Sequence, residues 1–362
     1  MAHLTLYFFV LVAIIQLVIW IMVYSRLLFI KKASETDSYP PITAVICTKN
    51  KLDNLKSNLP SILSQNYDGL YIFLVDDFSD ADTCRYIKEL QQKERYLIYH
   101  EVMTNIDGKK QALIEGFVKT ETQWILLTDD DCQPHTNKWA KSMISEANRS
   151  ESSIVLGYSP YRTDDTLLSR WIHFEAWITG VQYLSYAAAG LPYMGVGRNI
   201  MYNKGTVKPE HIASHLDLSS GDDDLTVNAV ANKKNTTINI SKESFVWTSP
   251  PDSYSAYLDQ KRRHYSVSHR YKRSHKIAIS AYTLSQVGYY GLLIILMCTA
   301  YWKIALGTYL IRLLIVMSIS SGLYKKMLSQ NSIWSFPIMD ILQAFYYVFF
   351  SFALFIPNNK KW

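Results

Sequence analysis

Hydrophobic and polar positions divide this chain into two kinds of region. Residues 6–24 form an apolar run interrupted only by Gln16, and further apolar runs occupy residues 277–301, 304–324 and 333–356. A run of about 20 apolar residues is long enough to cross a bilayer as a helix. The pattern therefore predicts an N-terminal transmembrane helix and a group of C-terminal ones.

The region between these runs alternates short apolar segments with amphipathic ones. Strands are predicted at 42–48, 71–76, 97–102 and 124–128, and helices at 52–64, 83–93 and 110–119. Such alternation is typical of a parallel sheet flanked by helices. In these sheets ligands bind beyond the carboxyl ends of the strands. We therefore expect an α/β domain with its site at that edge.

Residues 166–190 are apolar with few charges and include Trp171 and Trp177. Tryptophan suits the headgroup region of a bilayer, so this segment is interpreted as a helix lying along the membrane face. The alternative is a buried helix that packs within the domain.

Charge placement predicts the orientation. Arg26, Lys31 and Lys32 follow the first apolar run, and residues 262–276 add a basic flank before the second. Basic flanks mark the cytoplasmic side. The residues before the first run lack the basic start of a cleaved signal peptide, so we interpret the run as an uncleaved anchor. We expect an inner, cytoplasmic membrane protein.

This orientation defines three regions: an anchor over 1–32, a cytoplasmic catalytic domain over 41–275, and transmembrane helices over 276–362. Four membrane crossings would place Lys360 and Lys361 on the side opposite the cytoplasm, whereas basic residues favour the cytoplasmic side. The topology of the C-terminal region therefore stays open. Arg312 stands in the middle of an apolar run, which indicates protein contact, a water-filled path or a broken helix.

Composition excludes some classes of protein. The chain has 37 basic and 31 acidic residues in 362, a net charge of +6 that is too small to indicate a nucleic-acid partner. Its 4 cysteines contain no CxxC pair. We expect them to be free thiols in a reducing compartment rather than disulfides or zinc ligands.

Acidic clusters carry the candidate chemistry. Asp76 and Asp77 end one predicted strand, and Asp129-Asp130-Asp131 ends another. Because burying unpaired carboxylates is costly, they should line an open strand end. A D-x-D pair suits Mg²⁺ or Mn²⁺, which takes phosphate oxygens as further ligands. A solvated acidic turn is the alternative.

Two more clusters follow along the chain. Asp222-Asp223-Asp224 opens a predicted helix at 225–231, where acidic residues are also simply favoured by the helix dipole. The basic run at 260–264 includes Gln260, Arg263 and His264, and it is also explained as the flank of the next membrane helix.

In order and spacing, these segments resemble glycosyltransferase family 2, whose members have a GT-A fold, a Rossmann-like and mostly parallel sheet. The resemblance covers about residues 41–264. The segments that carry the resemblance are Thr43–Asn50, Asp76-Asp77 within V-D-D-x-S, Gly108–Leu113 within G-K-x-x-A-L, the D-x-D of Asp129 and Asp131, Gly195–Asn199, Asp222-Asp223, and Gln260-x-x-Arg263.

The resemblance implies roles for these residues. Asp223 is the expected catalytic base, and Asp131 with Asp129 the expected metal ligands. Nucleotide and donor binding is expected of Thr48, Asn50, Asp76, Asp77, Lys109, Asp129, Gln260 and Arg263. The acceptor side is expected to include Gly195, Gly197, Arg198, Asp222 and His264. His264 stands where membrane-integrated members carry Trp, which puts the type of acceptor and processivity in doubt.

The implied activity is an inverting, metal-dependent, hexosyl-type transfer from a UDP- or GDP-sugar to a lipid or lipid-linked acceptor. Asp223 would act as general base, while the metal, Lys109 or Lys110, and Arg263 would stabilise the leaving diphosphate. A processive polysaccharide synthase is the nearest alternative. A non-catalytic nucleotide-binding scaffold is another, although every expected acidic position is filled.

Overall fold

The computed structural model describes residues 2–34, 39–103, 108–164, 166–218 and 220–353. The strands are β1 Ile42–Thr48, β2 Leu70–Asp76, β3 Leu97–Glu101, β4 Trp124–Asp129, β5 Cys132–Pro134, β6 Ile154–Gly157, β7 Ile200–Asn203, β8 Thr236–Asn239 and β9 Val246–Thr248. The helices are α1 Ala2–Val18, α2 Arg26–Phe29, α3 Leu52–Leu63, α4 Ala81–Lys93, α5 Lys109–Lys119, α6 Trp139–Ser150, α7 Leu167–Ala188, α8 Pro209–Ala213, α9 Asp224–Val230, α10 Tyr254–Ser266, α11 Arg273–Met297, α12 Trp302–Lys326 and α13 Phe336–Ala353.

The chain divides into two compact units. Among the described residues, one contains those within 31–162 and 190–250, and the other contains those within 2–30, 163–189 and 251–353. The described helices α7 and α10 thus belong to the second unit, together with the long apolar helices.

The first unit is built on a seven-stranded sheet in the order β3-β2-β1-β4-β7-β6-β8. Strands β1 to β4 pair in parallel, whereas β7 runs antiparallel to both β4 and β6. All seven residues of β1 are buried, as expected of a parallel strand covered on both faces. The predicted mostly parallel α/β sheet is confirmed.

Helices cover the two faces of this sheet. Leu59 of α3 and Met143 of α6 join Ile46 of β1 in one core. On the opposite face α5 lies so close to the sheet that a Cβ at Gly116 would meet a Val45 methyl at 2.8 Å. The predicted strand and helix positions up to residue 129 agree with the structure to within about two residues, the usual uncertainty of element ends.

Within the described part of the chain, the second unit contains four helical segments long and apolar enough to cross a membrane, as the apolar runs predict. They are Ala2–Phe29, Arg273–Met297, Trp302–Lys326 and Ile333–Ser351. The first passes through a π-helical stretch at Ile19–Tyr24. The last residues of the apolar run predicted at 333–356, with Lys360 and Lys361, lie outside the described residues, as does part of the linker after residue 34.

Arg312 is fully buried within the continuous helix α12, so protein contact explains its place in an apolar run. Its guanidinium forms an ion pair with Asp340 of α13 and donates to the side-chain oxygens of Gln16 and Gln286, both at 3.0 Å. Tyr290 donates to the same Asp340 carboxylate at 2.6 Å. We call these five residues the Arg312 cluster.

Helix α7 packs against the apolar helices of its own unit. The ring of Trp177 is fully buried and meets Tyr324 edge-on at 4.5 Å between centroids, with Phe336 also in contact. Glu175 on the same helix forms a buried ion pair with Lys261 of α10. The expectation that Trp177 faces a headgroup layer is therefore wrong, because its ring is enclosed by protein.

Candidate active site

Two of the acidic segments lie at the carboxyl edge of the sheet, on either side of β1. Thr48 at the end of β1 is in register with Asp76, and Cys47 is in register with Asp129. Since β1, β2 and β4 are parallel, their carboxyl ends meet at one edge. The structure therefore brings the segments at 76–77 and 129–131 to the same edge of the sheet, with the end of β1 between them.

Asp129 and Asp131 are partly exposed and face the same place. Their carboxylate oxygens and the Cys132 sulfur lie within 4.8 Å of one another, a spacing that one cation can bridge. The buried Cys132 thiol donates to Asp131 at 3.1 Å, and burial with the charge of Asp131 raises its pKa well above the usual range. The carboxylates are thus the available hard ligands, and they fit Mg²⁺ or Mn²⁺.

Asp130, between them, points elsewhere. Its carboxylate accepts from Thr48 Oγ1 at 2.7 Å and from Asn54 Nδ2 at 3.4 Å. Burial raises the pKa of Asp130 to about 6, against the lowering effect of the Thr48 hydrogen bond. Asp130 therefore ties β4 to the end of β1 and α3. The side chain of Thr48, predicted to bind donor, is engaged in this tie.

Asp76 and Asp77 are both buried, with different partners. Asp76 accepts from the backbone N–H of Ser79 at 3.2 Å and from Tyr99 Oη at 3.0 Å. Asp77 accepts from Lys49 Nζ at 3.3 Å and lies 3.5 Å from the backbone nitrogen of Gly108. Asp77 is therefore joined to the segment that begins α5.

The loops after β1 and β2 are also tied together. Asn50 has φ of +54° and Phe78 has φ of +58°, both in the left-handed region that non-glycine residues seldom adopt. The Asn50 backbone donates to Ser79 Oγ at 2.8 Å, and its side chain accepts from the Asp80 backbone at 2.7 Å. Nucleotide contact by Asn50, Asp76 and Asp77 stays a prediction.

Lys109 links two of the acidic segments. Its ammonium lies 2.7 Å from Asp129 Oδ1 and 4.0 Å from Asp222 Oδ2. Burial alone would lower the pKa of Lys109, but the charges of Asp129 and Asp222 outweigh it and raise the pKa well above the usual value. The side chain is therefore a firmly protonated cation at the centre of the site.

Asp223 is held by backbone groups rather than by a cation. Its carboxylate accepts from the Gly197 N–H at 2.6 Å and from the Asp224 N–H at 2.8 Å. Burial and then the neighbouring charge of Asp222 raise the pKa of Asp223 to about 6. A carboxylate with such a pKa can accept a proton near neutral pH, which suits a general base.

The segment before β7 contacts this carboxylate closely. A Cβ at Gly197 would lie 3.3 Å from Asp223 Oδ2, so a glycine here lets the backbone donate to the acid. Arg198 stacks over the Tyr161 ring at 4.7 Å. Tyr161 bridges Thr248, which pairs with Cys132, so this arginine belongs to the same edge as the D-x-D pair.

The structure also assigns residues that sequence reasoning missed. Asn199 is fully buried and connects three elements, because it accepts from Trp139 Nε1 and donates to the carbonyls of Tyr158 and Ser244. Lys49 was not predicted either. It directly follows β1, the strand beside the one that precedes Asp77, and a basic residue at that position could have indicated an ion pair with Asp77.

The remaining predicted residues lie elsewhere. Gly195 is buried in the stretch that precedes Gly197. Gln260 and Arg263 are partly buried and His264 is exposed on α10, which belongs to the other compact unit. Their donor- and acceptor-side roles stay predictions.

Comparisons with known proteins agree with this geometry. Residues 43–208 match the model described as Glycosyl transferase family 2. This part of the chain is a glycosyltransferase family 2 domain with a GT-A fold. No curated protein matches the sequence.

Among solved structures, the chain is similar to the mannosyltransferase PcManGT from Pyrobaculum calidifontis in complex with GDP-Man and Mn²⁺. The TM-score is 0.57 at 14% identity, over 95% of this chain and 99% of that one. At such identity the likeness shows a shared fold. TarS 1–349 from S. aureus in complex with UDP-GlcNAc is also found, with a TM-score of 0.45 at 12% identity over 84% of this chain and 89% of that one.

Proposed function

We propose that this protein is an inverting, divalent-metal-dependent glycosyltransferase of the hexosyl type. It moves a sugar from a UDP- or GDP-sugar to a lipid or lipid-linked acceptor. The catalytic region over 41–275 faces the cytoplasm, and the helices within 1–32 and 276–362 hold the protein in the inner, cytoplasmic membrane. The family 2 domain and the four apolar helices support this proposal.

One observation carries it: Lys109 joins the D-x-D segment to the segment that bears Asp223. Its ammonium lies 2.7 Å from Asp129 and 4.0 Å from Asp222. The segment proposed to hold the metal and the segment that bears the proposed base therefore both lie beside one cation.

The residues then have separate tasks. Asp129 and Asp131 would hold Mg²⁺ or Mn²⁺, which when bound supplies Lewis-acid stabilisation of the departing diphosphate. Lys109 adds positive charge beside the same leaving group. GDP-Man and Mn²⁺ in the P. calidifontis enzyme are in keeping with this chemistry.

Asp223 accepts the proton of the acceptor hydroxyl as the oxygen of that hydroxyl attacks the anomeric carbon. The new carbon–oxygen bond forms as the bond to the diphosphate breaks, so the anomeric configuration inverts and the nucleoside diphosphate leaves with the electron pair. The N–H groups of Gly197 and Asp224 orient the carboxylate.

A donor screen tests the proposal. Full-length protein in nanodiscs is incubated with radiolabelled UDP-glucose, UDP-galactose, UDP-GlcNAc or GDP-mannose, a lipid extract, and either Mg²⁺ or Mn²⁺. We expect label from one donor to enter the organic phase, and EDTA to stop the transfer. Proton NMR of the product should show an inverted anomeric centre.

The same experiment separates the alternatives. Label in a high-molecular-weight product would indicate a processive synthase in place of single transfer. A retained anomeric configuration would contradict the in-line mechanism. Donor binding without transfer or hydrolysis, for every donor and metal, would indicate a binding scaffold and overturn the proposed activity.

A further inference from the structure

Two adjacent lysines at the start of α5 point to different partners. Lys109 contacts carboxylates, whereas Lys110 donates to the backbone carbonyls of His215 at 2.6 Å, Leu218 at 2.8 Å and Ser220 at 2.7 Å. Lys110 is 7% exposed. An ammonium group has three protons, and these three carbonyls account for all of them.

The three carbonyls lie directly before the predicted base. His215 belongs to the turns that follow α8, and Ser220 is separated from Asp222 only by Gly221. The opposite side of this short segment is fixed where Asp223 accepts from Gly197 at 2.6 Å. Lys110 thus holds one side of the segment and Gly197 the other.

The link between these two anchors is short and sterically confined. Gly221 has φ of +91°, and a Cβ there would meet Leu225 at 2.8 Å and Asp224 at 3.1 Å. Because Gly221 and Asp222 alone separate Ser220 from Asp223, a displacement of Ser220 is transmitted over few bonds to Asp223. The Lys110 ammonium therefore bears on where the base carboxylate lies.

We propose that Lys110 is a positioning residue: through the carbonyls of His215, Leu218 and Ser220 it holds the segment that carries Asp223 in place for proton abstraction. This inference rests on the proposed function of Asp223. It also divides the two lysines by task, since Lys109 faces the metal and diphosphate side and Lys110 faces the backbone of the base segment.

Kinetics of matched variants tests the division. In Lys110→Met the stem is kept and the three hydrogen bonds are lost, so we expect kcat to fall about 10- to 100-fold, because small misplacements of a catalytic group cost rate. The donor KM should stay within about twofold, since donor contacts are not altered. In the control Lys109→Met, we expect the donor KM to rise about 10-fold or more, because charge facing the diphosphate is lost.

A conservative variant separates a positioning role of Lys110 from a general loss of stability. Lys110→Arg keeps a buried cation with several N–H donors, so its kcat should lie well above that of Lys110→Met at the same donor KM. Donor affinity from calorimetry and the melting temperature are measured for each variant. Wild-type kcat in Lys110→Met, or a donor KM that rises as in Lys109→Met, would overturn the proposal.

Failure to fold is also informative. If Lys110→Met is not recovered folded, Lys110→Gln and Lys110→Arg are compared, and wild-type kcat in both would show that the lysine serves folding alone. Wild-type protein is assayed alongside. Absence of transfer by wild type would refute the proposed function, whereas transfer by wild type with unaffected Lys110 variants would refute only this inference.

Discussion

The candidate active site and the Arg312 cluster both concentrate charge, and they treat it differently. In the Arg312 cluster one guanidinium and one carboxylate are buried together, and the side chains of Gln16, Gln286 and Tyr290 form hydrogen bonds with them. In the site, the carboxylates of Asp129 and Asp222 share one ammonium, and Asp129 and Asp131 stay partly exposed.

This difference separates structural charge from charge available for chemistry. A buried pair of one cation and one anion neutralises its own charge. It is therefore costly to break, and it has no charge left to bind a ligand. Carboxylates in excess of their cations repel one another and gain when a divalent ion or a proton arrives. The pKa of Asp223 is raised to about 6 first by burial and then by the neighbouring charge of Asp222, which is part of this excess.

The largest effect is expected from removing the base. Asp223→Asn should lower kcat by about 10²- to 10⁴-fold, because the amide cannot accept the proton. Its single amide oxygen can accept from only one of the Gly197 and Asp224 N–H groups, so the melting temperature should fall slightly while donor affinity is kept. Steady-state kinetics with calorimetry checks this, and turnover like that of the wild type would remove Asp223 from the mechanism.

Metal dependence is expected to distinguish adjacent aspartates. Asp131→Asn should weaken Mn²⁺ binding and lower kcat/KM about 10²-fold or more, because several kcal/mol of charge stabilisation depend on the metal. The matched control is Asp130→Asn, whose side chain contacts Thr48 and Asn54 instead. Metal titration should show unchanged Mn²⁺ affinity in this control; equal losses in both variants would contradict the assignment.

Breaking the Arg312 cluster is expected to affect stability rather than chemistry. Arg312→Met leaves the Asp340 carboxylate buried without its cation, which should cost about 3–5 kcal/mol of unfolding free energy. Thermal unfolding in detergent measures this loss. Adding Asp340→Asn should restore part of it, whereas a double variant whose loss equals the sum of the two single losses would show that the pair is not coupled. The donor KM of folded protein should not change.

The pH dependence provides the finest distinction. Asp223 must be ionised to accept a proton, so kcat/KM should fall as the pH drops below about 6, where this carboxyl becomes protonated. In Asp222→Asn the like charge is gone, the pKa of Asp223 should fall, and the acid limb should move to lower pH. A pH–rate profile with an unmoved limb would show that Asp222 does not act on the base.

Much of the α/β unit follows from local sequence pattern. Strands β1 to β4 and helices α3 to α5 lie where hydrophobic periodicity places them, because burial on two faces or one face imposes a characteristic spacing. The apolar helices are also predictable from local sequence, because a helix that crosses a bilayer needs an uninterrupted apolar run of characteristic length. The acidic segments after β2 and β4 were likewise expected at the carboxyl edge.

The local sequence pattern could not assign different roles to adjacent residues of the same type. Asp129, Asp130 and Asp131 look alike in sequence, yet the middle carboxylate is withdrawn to Thr48 and its neighbours remain available. Lys109 and Lys110 are equally ambiguous. The task of Lys110 depends on a segment more than 100 residues away, because the carbonyls that hold it come from the turns after α8, whereas Lys109 contacts Asp129, which is 20 residues away.

The sequence by itself determined the class of fold, the apolar helices and the residue types of the site, since these depend on composition and short-range periodicity. Only the tertiary structure decided that Asp340 neutralises Arg312, that α7 packs with the apolar helices, and that Gly197 orients Asp223. Those contacts join residues distant in sequence. They are selected by the free energy of burying charged and polar groups together, which no local pattern records.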